Sequence, residues 1–213
     1  MQDFFLFLKN PQYVEDFQKL SFKSFITFGL IYLLSIIPIG VILFFFSKLV
    51  GFEQKILALT YVQRIFYGFL LAPIFEELLF RLIYIFTKKN LIIFILTTVV
   101  LLVIFIVKQN FSKILLFSVL ILIFLVCLIC FDNCKDYFVS NFKFWFYFIA
   151  IIFAFLHIFN FSGITVSNLI FTPLFVIPQF ILGIILGYLR IHNGFIYALL
   201  FHFLINSSVL FQF

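Results

Sequence analysis

Charged and amide side chains occur inside apolar segments of this chain, and each one needs a physical reason to lie there. Placing an ionisable group at bilayer depth costs about 2.5–3.5 kcal/mol on insertion scales. In membrane proteins such groups mark a water-filled polar pocket inside the helix bundle. The six residues in question carry charge or form strong hydrogen bonds, and they are Glu76, Glu77, Arg81, His157, His202 and Asn206.

The stretch FEELLFR places two carboxylates next to each other and close to an arginine. Glu77 and Arg81 are four residues apart, so in a helix they share a face and can form an ion pair. Glu76 points elsewhere and stays free for a partner on another helix. A carboxylate that contacts an imidazole is a competent general base, so a contact with His157 would give Glu76 a chemical role.

Two further spacings of four residues support a shared pocket. Phe153 lies one helical turn before His157 and could form a wall beside it. His202 and Asn206 give one helix face a patch of hydrogen-bond donors. Each residue alone has a structural explanation, because intramembrane polar groups often only join helices. Their combination on three helices, with almost no other ionisable group at depth, favours a functional site.

The composition excludes a soluble globular domain. Of the 213 residues, 66% are apolar and only 10% are charged, whereas soluble domains are about half apolar and a quarter charged. The formal charge of +6 comes from basic residues spread through short polar breaks, as is typical of a protein that faces anionic lipid headgroups. No basic stripe with interleaved aromatics is present, so the sequence predicts no nucleic-acid partner.

Seven apolar segments are each about as long as a membrane-spanning helix, which needs about 20 residues. The fold prediction is accordingly an all-α bundle of about seven transmembrane spans around a polar intramembrane cavity. Pro73 opens the turn before the acidic pair and is predicted to kink that helix. The predicted spans are 24–47, 60–86, 91–107, 114–131, 144–160, 170–189 and 195–211.

The polar breaks between these segments are too short for a second domain, so residues 1–213 are predicted to form one integral membrane domain. Residues 1–23 precede the first span as an interfacial segment. Within them, Asn10 is a candidate helix cap with Pro11 at the first helical position. This pattern predicts a short helix on the membrane surface, and a solvated tail is the alternative.

Three motifs in this order resemble those of a known family of membrane proteins. They are E-E-x-x-x-R, F-x-x-x-H and H-x-x-x-N/D, which read EELLFR at 76–81, FAFLH at 153–157 and HFLIN at 202–206. The family is that of the CPBP intramembrane proteases, also called Abi or CAAX amino-terminal proteases. The resemblance implies an all-helical membrane bundle, a protease core at 60–213 and hydrolysis of peptide bonds.

The resemblance also implies roles for single residues, carried over by motif position. Glu76 and His157 would hold and activate the attacking water. His202 and Asn206 would stabilise the oxyanion, a role in which aimed donors typically contribute about 2.7–4 kcal/mol each. The residues with supporting roles are Glu77, Arg81 and Phe153.

The metal dependence of such a mechanism stays open at this point. Glu76, His157 and His202 are also acceptable zinc ligands, and three protein ligands plus water are a catalytic zinc pattern. The H-E-x-x-H signature is absent from the sequence. A mechanism without a cofactor, in which a glutamate activates the water, is therefore favoured, and zinc is the alternative.

The expected partners are a membrane-associated peptide or protein substrate and the lipid bilayer. The resemblance to the bacterial branch of the family predicts a bacterial cytoplasmic membrane, where prenylated CAAX proteins are not expected as substrates. Two other functions stay open. One is a non-catalytic membrane scaffold or immunity-type protein in which the polar cluster holds the helices together. The other is a transporter, although the two halves lack matching discontinuous helices.

The amino terminus is predicted to lie in the cytoplasm, because lysine and arginine are enriched in cytoplasmic loops. With seven spans, the basic residues on the amino-terminal side are Lys9, Lys19, Lys23, Lys88, Lys89, Lys135, Lys143 and Arg190. Those on the other side are Lys48, Lys55, Arg64, Lys108 and Lys113. A reporter fused before Phe4 should therefore be accessible only from the cytoplasm, and access only from the outer face would contradict this orientation.

Overall fold

The computed structural model describes residues 2–54 and 60–211, and nearly all of its elements are helical. The α-helices are α1 (Gln2–Lys9), α2 (Phe22–Val50), α3 (Tyr61–Gln63), α4 (Ala72–Phe80), α5 (Lys88–Val107), α6 (Phe111–Ile129), α7 (Phe131–Ser140), α8 (Phe142–Leu156), α9 (Thr172–Phe175), α10 (Ile177–His192) and α11 (Phe195–Asn206). The other helical elements are a π-helix (Arg64–Leu71) and 3-10 helices at Leu82–Tyr84, His157–Asn160, Leu169–Phe171 and Ser207–Phe211. The strands in the described residues are β1 (Glu53–Gln54) and β2 (Phe161–Ser162), which pair antiparallel. The fold is all-α, as predicted.

Four helices in the described residues are long and apolar enough to cross a membrane. They are α2, α5, α6 and the helical stretch Phe142–Asn160, and a fifth is added if Leu169–Phe175 and α10, bent by 45°, form one span. No residue of α6 is buried in the protein, as expected for a helix that faces lipid. The chain is thus a multi-pass membrane protein. The predicted count of seven is not confirmed, because residues 61–80 are split into short pieces and α11 has only 12 residues.

Contacts between the turns define two ends of the bundle. At the amino-terminal end, the Gln18 N–H donates to the His192 carbonyl at 2.7 Å, and Lys135 Nζ donates to Glu15 at 2.9 Å. At the opposite end, the pairing of β1 with β2 links the end of α2 to the segment after α8. α8 and α10 therefore run in opposite directions. Lys55, one of the basic residues assigned to the opposite end, lies outside the described residues.

The amino-terminal segment packs onto the bundle, and the predicted helix that begins at Asn10 is wrong. The helix of this segment is α1, and residues 11–20 have no regular structure. Pro11 has no N–H and disfavours helical geometry in the residue before it. Asn10 and Pro11 therefore end α1 and do not begin a new helix. Phe4 and Phe7 are buried against aromatic side chains of α2, α8 and α10.

Polar contacts hold the rest of this segment in place. The carboxylate of Glu15 accepts from Lys135 at 2.9 Å and from the Tyr13 hydroxyl at 3.0 Å, and these two bonds lower the pKa of Glu15. The Tyr13 hydroxyl in turn accepts from the Phe86 N–H. Because the pKa is lowered by folding, the stabilisation is present above the unfolded pKa of Glu15 and is lost as the pH falls through the folded value.

Two glycines let α10 approach α8 closely. A Cβ atom on Gly187 would lie 2.8 Å from the Phe146 ring and 3.2 Å from the Tyr84 ring, and one on Gly183 would lie 3.1 Å from the Phe153 ring. Small residues four positions apart are a common device for close packing of membrane helices. The two glycines of α10 therefore set the distance between α10 and α8 near Phe153 and Phe146.

The turn after β2 depends on Gly163. Its φ is +77°, and a Cβ atom there would lie 2.0 Å from the Gly51 carbonyl oxygen. We expect Gly163→Ala to lower the free energy of unfolding by at least about 2 kcal/mol, because a disfavoured φ alone costs about 1–3 kcal/mol and the clash adds to it. Thermal unfolding in a bilayer mimetic measures the effect.

Gly40→Ala is the matched control, since a Cβ atom on Gly40 meets nothing within 4 Å. Alanine is also favoured over glycine inside a helix by about 1 kcal/mol, so this variant should be neutral or slightly stabilised. Equal destabilisation by both substitutions would contradict the claim that the positive φ and the close contact with Gly51 require glycine at position 163.

Candidate functional site

Glu77 and Arg81 form an ion pair that is fully buried in the bundle. Arg81 Nε lies 3.5 Å from Glu77 Oε1, and both side chains are 0% exposed. The two residues lie one turn apart at the end of α4, as their spacing predicted. Removing either partner would leave an uncompensated buried charge, so each side chain holds the other in position.

Glu77 also orients the imidazole of His202 on α11, a contact that the sequence analysis did not predict. His202 Nδ1 lies 2.9 Å from Glu77 Oε1, and the ring is 1% exposed. Beside Arg81 the Glu77 carboxylate is an acceptor, so Nδ1 of His202 carries the proton. The other ring nitrogen, Nε2, lies 3.6 Å from Glu76 Oε2.

His157 approaches the same oxygen of Glu76 from the end of α8. Its Nε2 lies 3.8 Å from Glu76 Oε2, and its Nδ1 lies 2.8 Å from the Phe153 carbonyl oxygen. A carbonyl only accepts, so Nδ1 is the donor and Nε2 is the unprotonated nitrogen of the neutral ring. Both imidazoles, of His157 and His202, therefore present Nε2 to one carboxylate oxygen.

Phe153 is the buried wall between these groups. Its ring centroid lies 4.8 Å from that of His157 and 6.1 Å from that of His202. The guanidinium of Arg81 lies over the same ring, 4.1 Å from its centroid. An aromatic face attracts a cation, so Phe153 adds a second favourable contact to the one that Arg81 makes with Glu77.

Arg190 is a residue that the sequence analysis placed in a loop, yet it is only 4% exposed. Its Nε donates to the Arg81 carbonyl at 3.0 Å, at the end of α4, where helix carbonyls carry partial negative charge. Its guanidinium also lies 5.6 Å from the ring centroid of Phe17 and 5.8 Å from that of Phe195. Arg190 thus joins the end of α4 to the amino-terminal segment and to the helix that bears His202.

Pro73 and Asn206 are connected through the backbone of the π-helix. The Ala72 N–H donates to the Tyr67 carbonyl in the wider π pattern, and the next residue, Pro73, has no N–H to offer to Gly68. Asn206 Nδ2 instead donates to the Gly68 carbonyl at 3.2 Å. The π pattern and the missing N–H of Pro73 together leave the Gly68 carbonyl without a backbone donor, and Asn206 satisfies it.

This bond sets Asn206 apart from the other predicted site residues. The structure brings Glu76, His157 and His202 together, with Glu77 and Arg81 behind them. The side-chain hydrogen bond of Asn206 in the described part of the chain goes to the π-helix and not to that cluster. The position of Asn206 one turn after His202 does not predict this bond, because the bond depends on the free carbonyl of Gly68 in a different helix.

The cluster has more hydrogen-bonding capacity than its internal contacts use. Glu76 Oε2, Glu77 Oε2 and all three guanidinium nitrogens of Arg81 are buried and have no hydrogen-bond partner among the described protein atoms. At the same time, Glu76 and His157 keep 27% and 20% of their side chains exposed. The side chains of Glu76 and His157 are therefore partly accessible, although Glu76 Oε2 itself is buried, whereas both side chains of the ion pair are fully enclosed.

The described residues do not form a metal site as they are arranged. Within residues 2–54 and 60–211, no group of three or more His, Cys, Asp or Glu side chains is placed to hold a metal ion. Glu76 Oε2 lies within 4 Å of Nε2 of both imidazoles. The choice between zinc and a metal-free mechanism stays a prediction from the sequence.

No protein-family model, no curated protein and no solved structure matches this chain. The function is consequently argued from the residues and their geometry. The resemblance of the three motifs to the CPBP proteases stays an expectation from the sequence.

The geometry predicts unequal effects for the two glutamates. Glu77→Gln should lower the free energy of unfolding by about 3–5 kcal/mol, because it leaves Arg81 buried without a counter-charge. Adding Arg81→Met should recover part of the loss. Glu76→Gln should leave stability nearly unchanged, because Glu76 is partly exposed and its contacts with the two imidazoles are long. Denaturation of the single and double variants in detergent measures these effects.

The double-mutant cycle of Glu77 and Arg81 isolates the coupling between the two side chains. Since Glu77 also accepts from His202, recovery in the double variant should be incomplete. Energetic independence of Glu77 and Arg81 would contradict the assignment of the pair, as would a larger destabilisation by Glu76→Gln than by Glu77→Gln.

Proposed function

We propose that this chain is an intramembrane endopeptidase of the CPBP type that hydrolyses peptide bonds in membrane-associated peptides or proteins. The observation that carries the proposal is the convergence of two imidazole Nε2 atoms on Glu76 Oε2, at 3.8 Å from His157 and 3.6 Å from His202. These separations are too long for direct hydrogen bonds. A water molecule beside these atoms donates one hydrogen to Glu76 Oε2 and the other to His157 Nε2.

The reaction is a general-base hydrolysis. Glu76 accepts a proton from the water, which His157 helps to hold, and the resulting hydroxide attacks the carbonyl carbon of the scissile bond. The tetrahedral intermediate carries the negative charge on the former carbonyl oxygen. Glu76 then returns the proton to the leaving nitrogen as the C–N bond breaks. The products are a carboxylic acid and an amine, and Glu76 is again ionised.

Stabilisation of the oxyanion is assigned to His202 and Asn206. Asn206 has a second amide N–H besides the one that reaches Gly68, and the bond to Gly68 fixes the plane of the amide. His202 is held by Glu77 through Nδ1, and its Nε2 faces the cluster, where it donates to the oxyanion only when the ring is protonated on both nitrogens. Donors that are fixed before the reaction need no reorganisation in the transition state.

The finer parts of the architecture belong to this proposal as well. The seven predicted segments would cross the bilayer together, with residues 61–80 and α11 as short elements that line a polar intramembrane cavity. Irregular helix at membrane depth is tolerated where it lines such a cavity, and the π-helix before Pro73 is irregular in this sense. The membrane would be the bacterial cytoplasmic membrane.

A non-catalytic scaffold or immunity-type protein is the second candidate, and one observation favours it. The Arg81–Glu77–His202 chain of contacts joins α4 to α11 without needing any substrate. In a scaffold, this link would be sufficient, and Glu76 would have no further role. The two functions therefore differ in what the loss of Glu76 does while the fold stays intact.

Hydrolysis in H₂¹⁸O tests the proposal. A mixture of peptides with apolar segments is incubated with the protein in liposomes, and mass spectrometry detects new carboxyl termini that contain one ¹⁸O atom. We expect Glu76→Gln to reduce their formation by about 10²–10⁴-fold, the usual contribution of a general base. Asp132→Asn on the exposed surface of α7 is the matched control and should retain activity.

Metal dependence is tested on the same reaction. Activity should survive exhaustive chelation, because the proposed mechanism uses only side chains and water. Loss of activity that stoichiometric zinc restores would support the zinc alternative instead. Equal product formation by wild type, by Glu76→Gln and by a blank without protein would favour the scaffold.

A further inference from the structure

One cavity of the described residues lies away from the candidate site. It is an open groove of about 560 Å³ on the outer face of the bundle, where α7 meets α8. Its wall is apolar and follows one face of α8 through Phe144, Phe148 and Ile151, which are three or four residues apart. Its rim is polar and lies at the amino-terminal end, with Ser140, Asn141 and Lys143.

The charge at the rim is positive. Lys143 is exposed, and its Nζ donates to the carbonyl of Lys9 at 2.9 Å, which leaves two further N–H donors on the ammonium group. No Asp or Glu lines the groove. The end of α7 and the start of α8 meet at the rim and carry opposite partial charges, so the positive charge there is that of Lys143.

The length of the groove fits one leaflet of a bilayer. From Lys143 to Ile151 a helix rises about 12 Å. A smaller cavity of about 150 Å³ shares Ile151 and continues along Ala154 and Phe155 against α10, which extends the path to about 18 Å. Half of a hydrocarbon core is about 15 Å thick. The groove therefore begins where a headgroup lies and ends near the middle of the membrane.

We propose that this groove binds an anionic glycerophospholipid. Its phosphate contacts Lys143 and the hydroxyl of Ser140, and one acyl chain lies along the wall formed by Phe144, Phe148 and Ile151. The positive rim and the apolar wall match the two parts of such a lipid and occur in the same order along the membrane normal. This site is separate from Glu76 and does not depend on the proposed proteolysis.

The single tryptophan of the chain is a reporter for this site. Trp145 contacts two residues of the wall, with ring centroids 5.3 Å from Phe144 and 5.7 Å from Phe148. Bromine atoms on an acyl chain quench tryptophan fluorescence at short range. The full-length protein is reconstituted in phosphatidylcholine vesicles that contain increasing fractions of brominated phosphatidylglycerol or brominated phosphatidylcholine.

Wild-type protein should reach half-maximal quenching at a mole fraction of brominated phosphatidylglycerol about fivefold lower than that of brominated phosphatidylcholine, the effect expected for one lysine at the membrane surface. Lys143→Gln should remove most of this preference, and Lys143→Arg should keep it. Lys19→Gln is the matched control, because it removes the same charge from an exposed residue outside the groove, and it should behave as wild type.

Ser140→Asp separates lipid binding from packing of α1. It places a negative charge at the rim while Lys143 stays in place, and it should also remove the preference. Equal quenching by the two lipids in the wild type would overturn the proposal. Equal loss in Lys143→Gln and Lys19→Gln would also overturn it, because the preference would then reflect the surface charge as a whole.

Discussion

The buried ion pair between Glu77 and Arg81 is the interaction on which the rest of the site depends. Its two charges are fully enclosed, so neither can be lost alone without a large cost. Glu77 uses the same oxygen to hold Nδ1 of His202, and Arg81 lies over the ring of Phe153. Through these contacts one pair on α4 fixes the positions of side chains on α8 and α11, and Glu76 is placed beside it by its position in the sequence.

Side chains from other helices hold the backbone on both sides of Glu77 and Arg81 in the sequence. After the pair, Arg190 satisfies the carbonyl of Arg81 and packs against the amino-terminal segment and α11. Before it, the π-helix and Pro73 leave the Gly68 carbonyl without a backbone donor, and Asn206 donates to that carbonyl. Polar contacts to the backbone on either side thus hold a short helix of nine residues that is too short to cross the membrane on its own.

The sequence predicted those features that depend on spacing within one helix. The pairing of Glu77 with Arg81 and the position of Phe153 beside His157 follow from separations of four residues. Features that depend on contacts between distant segments were not accessible: the burial of Arg190, the bond of Asn206 to Gly68 and the packing of α1. The count of seven spans relied on apolar length alone, which does not detect that residues 61–80 are split into short helices or that α11 has only 12 residues.

The central claim is that Glu77 sets the orientation of the His202 ring and so directs Nε2 to Glu76. Nitrogen-15 NMR of histidine-labelled protein in a bilayer measures this directly, since the chemical shifts of Nδ1 and Nε2 report which nitrogen carries the proton, and replacement of single histidines assigns the signals. The account predicts that neutral His202 is protonated at Nδ1 and unprotonated at Nε2. A neutral His202 with its proton on Nε2 would contradict it.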